Sequence, residues 1–373
     1  MRDTSVASIR PLLAALGVTA GVLAACRAPA RPVAIGYAFP RWGQLAVRVA
    51  LDEIASWPAT MRPTVRIIYD SSSTGDPPDI EVSRAQRFAA IPELVGIVGH
   101  GGSRGTLAAA PVYNQAGIPE VAPTSTSRLV KRIGPWTFQL PPDDSVEGAF
   151  LAQFAAERLG ARRVSLFYVT DEYGAGLRDG VAAEAARRQV RVLDEVGYDN
   201  RNDLAPLVAA SFHRGVPDVV IVAGRQRETA HIARAAWRLH PGQRVLAGDG
   251  ALVLPLLVDE AGPAADSIYV VAFWMPDRAD SVSRAFVERF TRIAGRPPQS
   301  GDAMNHDALM VMARAVADAG PRRAAIRAYL ASLGVTRPPY HGVTGPITFT
   351  ATRAPALIMT RVHGREVQTV SPP

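Results

Sequence analysis

The sequence predicts an α/β protein of two Rossmann-like lobes, and three observations lead there. Short β-rich runs alternate with longer helical patterns, the arrangement of βαβ units in a parallel sheet covered on both faces. The alternation comes as two series, separated by the turn-rich stretch Gln139-Leu140-Pro141-Pro142-Asp143-Asp144. At 373 residues the chain exceeds one ordinary core and suits two.

In the first series, strands are expected at 33–37, 64–69, 94–98 and 119–122, with helices at 43–56, 83–90 and 106–115 between them. The second series opens with a helix that carries Val146, Phe150 and Phe154 on one face at helical spacing. Strands at 164–169, 190–196, 219–223, 245–247 and 268–271 follow, each preceded by a helical segment. Helices at 282–294, 303–319 and 324–332 come next, before a β tail containing 347–350 and 356–362.

Composition narrows the function classes. With 48% hydrophobic, 20% charged and 7% aromatic residues, the chain is neither disordered nor collagen-like nor of low complexity. Its one cysteine excludes an internal disulfide. The net charge is +7, but the basic residues are scattered without a run or stripe, so nucleic acid is not an expected partner. Lys131 is the only lysine; the other basic residues are arginine.

At the N-terminus, Arg2 and Arg10 precede an apolar stretch at 11–25, which fits the hydrophobic region of a signal peptide and is short of the ~20 residues of a membrane span. It ends Leu23-Ala24-Ala25-Cys26, which resembles the bacterial lipobox. That resemblance implies that residues 1–25 are removed, that Cys26 is lipid-modified, and that the mature protein is exported and anchored to a membrane. Cleavage leaves 39 basic residues against 33 acidic, so the mature chain is modestly basic.

No Walker A loop, HExxH or paired CxxC occurs, and no acidic pair demands a metal. Of the seven histidines, His213, His231 and His240 fall on or beside surface-type helix segments and read as solvated or capping side chains. Neither a metal nor another cofactor is expected. One catalytic pattern matches: Gly101-Gly102-Ser103-Arg104-Gly105 reads GxSxG between an apolar strand and a helix, the context of a hydrolase nucleophile elbow. Asp249 followed by His306 or His341 supplies the chain order of a triad. A glycine-rich turn carrying one serine is also how a helix N-terminus opens for anion binding.

The stretch VGIVGHGGSRGTLAAAPVYNQAGIPEVAPTSTS at 95–127 resembles the type I periplasmic binding proteins of the leucine/isoleucine/valine-binding family. There a strand ends in a glycine turn with a ligand-binding serine, and the next strand ends in a Pro-x-Ser/Ala-Thr segment. Asp171-Glu172-Tyr173-Gly174-Ala175-Gly176-Leu177 resembles the family's YGxGL turn, and Val245-Leu246-Ala247-Gly248-Asp249-Gly250 its strand with a terminal acidic residue. Order and spacing agree over about 33–370. The resemblance implies two lobes joined by a three-crossover hinge: 32–139 with 274–339, and 140–273 with 340–373. Its implied function is that of an exported solute-binding lipoprotein, not an enzyme, which captures an amino acid or related carboxylate between the lobes and delivers it to an ABC permease.

What the resemblance implies for the site follows residue by residue. Ser103 and the amides around Gly105 form an anion cradle at a helix N-terminus, where unpaired N–H groups and the dipole favour a carboxylate. Ser125 and Thr126 add donors from the next strand end. Tyr173 reaches across the cleft, and Asp249 pairs with a cationic amine. Arg225, where relatives often carry tyrosine, either grips a second anionic group, or only pairs with Asp249 or faces solvent. Trp42 walls the side-chain pocket. Two alternatives stay open: a sensor lipoprotein of the same fold without a transporter, and a serine hydrolase acting through Ser103.

Overall fold

The computed structural model describes residues 32–73, 76–199, 203–350 and 357–370, so the expected leader and Cys26 lie outside the described residues. The first series forms β1 (Val33–Ala38), α1 (Gln44–Ala55), β2 (Val65–Tyr69), α2 (Pro78–Ala89), β3 (Leu94–Gly99), α3 (Ser103–Ala116), β4 (Glu120–Ala122) and β5 (Thr137–Gln139). Its five strands make a parallel sheet in the order β2-β1-β3-β4-β5. The second series runs α4 (Asp144–Glu157), β6 (Arg163–Val169), α5 (Glu172–Arg187), β7 (Arg191–Tyr198), α6 (Leu204–Arg214), β8 (Val219–Ala223), α7 (Gln226–Leu239), β9 (Arg244–Ala247), α8 (Leu254–Ala261) and β10 (Ile268–Ala272). After it come α9 (Ser281–Ala294), α10 (Ser300–Ala319), α11 (Arg323–Ser332), β11 (Tyr340–Gly342), β12 (Gly345–Ile347), β13 (Ile358–His363) and β14 (Glu366–Thr369). The second sheet has the order β14-β13-β10-β9-β8-β6-β7, parallel except where β13 and β14 add antiparallel at one edge.

This is the expected α/β class: two sheets of largely parallel strands, each buried by helices. The fully buried runs of β3, β8 and β10 are almost unbroken Leu, Val, Ile, Ala and Gly, as strands covered on both faces require. Helices α10 and α11 return to the first sheet and share one apolar core with β1, β3 and α1, built around Ile35, Val98, Leu309 and Leu330. The second sheet has its own core around Leu166, Ile221, Leu246 and Val270.

Two details depart from the expectations. The β11–β12 hairpin, expected with the second sheet as part of 340–373, packs against α10 instead. Tyr340 and Ile347 join the first sheet's core, and the buried Asp307 carboxylate accepts from the Val343 amide (2.8 Å), the Thr344 amide (2.7 Å) and the Thr344 hydroxyl (2.7 Å). A carboxylate held by three donors fixes the hairpin to α10, so the chain passes to the second sheet only beyond Phe349, whose ring meets Phe138 edge-on at 5.1 Å. The second departure is the orientation of α4. Of its expected apolar face, Phe154 is buried and Phe150 half-buried, but Val146 is exposed at 41%; Asp144, Glu147, Gly148, Leu151, Ala152 and Ala155 are buried together with Phe154.

Glycines turn α4 that way. A Cβ on Gly148 would stand 2.6 Å from the Leu177 carbonyl oxygen and 2.8 Å from the Val181 nitrogen, and one on Gly180 would stand 3.0 Å from the Asp144 and Ser145 carbonyl oxygens. Helices α4 and α5 therefore touch backbone to backbone. Gly148→Ala is expected to destabilise the protein by about 1–3 kcal/mol, because neither helix backbone can yield locally; a denaturant midpoint equal to the wild type would contradict that contact.

Candidate functional site

The C-terminal ends of strands from both sheets converge on a cavity of about 310 Å³, the position at which open α/β sheets bind ligands. Its first-sheet wall includes Gly101, Gly102, Ser103 and Thr124, with Phe39 and Trp42 beside them. Across from these lie Tyr173, Arg225, Asp249 and Gly250, with Leu252 and Val253. Phe273, Ser300 and Met304 complete the enclosure.

Ser103 opens α3, three residues before the expected helix start. Gly102 precedes it with φ 140°, a conformation that suits glycine, and so lets the chain turn sharply from the strand into the helix. The Ser103 hydroxyl oxygen accepts from the amides of Thr126 (3.2 Å) and Ser127 (3.0 Å). With both lone pairs engaged, the hydroxyl proton is the group Ser103 offers to an acceptor.

Beneath this turn lies a buried polar layer. The His100 ring binds the Glu81 carboxylate through Nδ1 (2.6 Å) and Tyr113 through Nε2 (2.9 Å). Glu81 also accepts from the Ser72 hydroxyl (2.7 Å) and pairs with Arg84. Burial pushes the Glu81 carboxyl up, but the hydrogen bonds from His100 and Ser72 and the nearby Arg84 charge outweigh it, leaving the group below its ordinary range. Neither His100 nor Glu81 was among the residues expected from the sequence; a histidine at the end of a buried strand, next to the glycine turn, was the available signal.

Five expected site residues line the cavity: Trp42, Ser103, Tyr173, Arg225 and Asp249. Gly105, Ser125 and Thr126 do not. Gly105 is packed under the turn, where a Cβ would stand 3.2 Å from Glu81 and from His100. Ser125 spends its hydroxyl on Thr106 (2.7 Å), and Thr126 contributes its amide to Ser103 while its side chain is buried. From that strand end it is Thr124 that faces the cavity.

On the opposite wall, Asp171 caps α5 by accepting from the Tyr173 and Gly174 amides at 3.1 and 3.0 Å. This seats Tyr173 in the first turn, where its hydroxyl donates to Asp249 Oδ1 (3.1 Å) and accepts from the Gly250 amide (3.0 Å). The flanking glycines make room for it: a Cβ at Gly248 or Gly250 would stand 2.7 or 2.8 Å from that hydroxyl. Behind, the Asp249 amide donates to Glu147 Oε1 at 2.6 Å. Burial pushes the Asp249 carboxyl up to about 6, with hydrogen bonds from Tyr173 and Glu147 holding it from rising further. Glu147 is raised well above the carboxylate range, by burial first and then by the neighbouring charges of Asp249 and Asp144.

Arg225 donates to Asp171 (2.7 Å), and its guanidinium lies 5.5 Å from the centre of the Tyr173 ring. Arg225 thus serves an internal pair with Asp171 while also reaching the cavity wall. Arg104 of α3 approaches Asp171 (3.9 Å) and Glu172 (3.8 Å), and Arg128 approaches Asp179 (3.5 Å), so ion pairs bridge the two sheets' helices beside the cavity. Trp42 meets Phe39 edge-on at 5.0 Å and lies over Gly301, whose Cβ would stand 2.8 Å from the indole. This aromatic wall is the apolar part of the pocket.

The triad reading does not assemble. Among the described residues, neither His306 nor His341 is a hydrogen-bond partner of Ser103 or Asp249. The buried His306 ring is engaged with Glu53 (3.2 Å) and Asp307 (3.5 Å).

Comparison with known proteins agrees with this geometry. Residues 44–359 match the family model described as periplasmic binding protein. An amino acid binding protein of Pseudomonas aeruginosa is 27% identical over 245 residues, 65% of this chain and 65% of that protein, so the chain spans just under two thirds of that relative's length. A leucine binding protein from Thermotoga maritima superposes with a TM-score of 0.83 at 24% identity, over 91% of this chain and 98% of that one. The branched-chain amino acid transporter substrate binding protein of Streptococcus pneumoniae, solved with isoleucine, gives 0.81 at 18% identity over 92% and 100%. These neighbours are solute-binding proteins and not enzymes. The chain belongs to the periplasmic binding protein family, in the type I architecture of the leucine-binding and branched-chain amino acid-binding proteins.

Proposed function

We propose that the protein is the extracytoplasmic solute-binding component of an ABC importer, anchored through a lipid on Cys26, and that it takes an amino acid or related small carboxylate into the cavity between its two sheets. The observation that carries the reading is the polarity of that cavity. One wall offers neutral donors at the N-terminus of α3, the Ser103 hydroxyl foremost; the facing wall offers the Asp249 carboxylate. A zwitterion satisfies both walls at once, its carboxylate on the helix N-terminus and its ammonium on Asp249. The aromatic surface of Phe39 and Trp42 then receives an apolar side chain. Names of relatives and neighbours point the same way, since they are an amino acid binding protein and binding proteins for leucine or branched-chain amino acids.

On this reading, each sheet with its helices is a lobe, and the lobes close over the ligand about the three passages between them. The ligand stabilises the closed form by its contacts with both walls, and the permease recognises that form. Arg104 and Arg128, facing Asp171, Glu172 and Asp179, add to the closed form.

Four outcomes are expected. Ser103→Ala weakens binding of L-leucine by about 10- to 100-fold, the worth of one charge-assisted hydrogen bond. Thr126→Ala, which keeps the amide that positions Ser103, changes it by less than about threefold; isothermal calorimetry separates the two. Affinity for L-leucine rises with pH through about 6, because the ammonium requires ionised Asp249, whereas 4-methylpentanoate, which lacks the ammonium, shows no such rise. Cys26→Ser yields an exported but unanchored protein, checked by fractionating membranes from soluble extract.

A further inference from the structure

The carboxyl of Glu147 is buried directly behind the cavity wall. It sits on the buried face of α4, held there by the glycine contact with α5, and it forms no part of the cavity wall. One oxygen accepts the Asp249 amide at 2.6 Å, and the other is buried with no donor reaching it. The carboxyl of Asp249 is a direct electrostatic neighbour of the Glu147 carboxyl. Two carboxylates cannot satisfy one another, since each can only accept. A carboxylic acid beside a carboxylate can, through a single O–H···O bond.

We propose that Glu147 is a positioning residue that keeps its proton and donates it to Asp249, so that the pair carries one negative charge and that charge is fixed on the oxygen atoms facing the cavity. The proposal rests on the assignment of Asp249 to a ligand ammonium. The surroundings agree with a neutral Glu147. Asp144 of its own helix, Asp143 and Asp171 capping α4 and α5, and Asp249 after β9 are all acidic. Tyr173 of α5 donates to Asp249, Lys131 is bonded to Asp143, and Arg225 after β8 is bonded to Asp171. A second ionised carboxyl here would lack a counter-charge, and burial penalises it. With Glu147 neutral, Asp249 accepts from two side chains, Tyr173 on one side and Glu147 on the other, and cannot rotate away from the cavity.

The test compares Glu147→Gln, which imitates the protonated acid in shape and in having a donor, with Glu147→Leu, which has none. In the ligand-free protein, a raised carboxyl contributes stability below its ordinary range that is lost as pH climbs towards the folded-state value. The melting temperature of Glu147→Gln relative to the wild type is therefore expected to rise between about pH 5 and about pH 8. A difference that is flat, or that falls with pH, would mean that Glu147 is ionised and would overturn the proposal whatever the ligand. In binding, Glu147→Gln is expected to hold L-leucine within about threefold of the wild type, and Glu147→Leu to lose about tenfold or more for L-leucine but little for 4-methylpentanoate. Tenfold loss in Glu147→Gln, or equal loss of both probes in Glu147→Leu, overturns it as well. If the wild type binds neither probe, the amino-acid reading fails, while the pH dependence of melting still decides the protonation of Glu147.

Discussion

Backbone contact between α4 and α5 is the constraint on which the second-sheet side of the cavity depends. Gly148 and Gly180 remove the side chains that would hold the helices apart, and Gly176, whose Cβ would stand 2.5 Å from the Asp144 carboxyl, continues the contact. Close packing of this kind fixes rotation about the helix axis as well as distance. It turns α4 so that Asp144 and Glu147 face inward, and it holds the start of α5, with Tyr173, against the loop after β9. The position of Asp249 then follows from two neighbours, Glu147 of α4 and Tyr173 of α5.

The first-sheet side is built by a different chemistry. There the polar interior is fully paired around Glu81, with His100, Ser72 and Arg84 converging on one carboxylate whose charged form is favoured. A satisfied network of this sort makes a rigid base, and the glycine turn carrying Ser103 rests upon it. The two walls thus differ in charge and in proton affinity: beneath the glycine turn, Glu81 is stabilised as an anion; on the other wall, burial raises Asp144, Glu147 and Asp249.

Much of the fold was legible because its signals are local. Strands β1, β3, β8 and β10 are nearly uninterrupted apolar runs, and helices such as α1 and α9 carry a clear periodic pattern. Strands β5 and β14 escaped notice because three or four residues hold no measurable period. The site was partly legible through its turns: Gly102 before Ser103, and Gly248 and Gly250 around Asp249, are glycines that the backbone needs. Glu147 was not, since an acidic residue on a helix with apolar neighbours reads as the solvent side; only the contact of Gly148 with a helix some thirty residues onward puts it inside. Thr124 and Thr126 could not be told apart for the same reason, because which of two alternate hydroxyls meets the cavity depends on how α3 lies across the strand end.

The segment that joins β5 to α4 has a mechanical meaning. It is residues 140–143, four in number, with Pro141 and Pro142 in the middle and the first three buried. Fully stretched, four residues reach at most ~14 Å, and two prolines restrict even that by locking their backbone angle. In the proposed closing motion, a tether so short and stiff serves as a pivot, about which the halves swing without sliding or drifting apart. Any gape at the mouth of the crevice is then an angular displacement, smallest beside Gln139 and growing with distance from this segment.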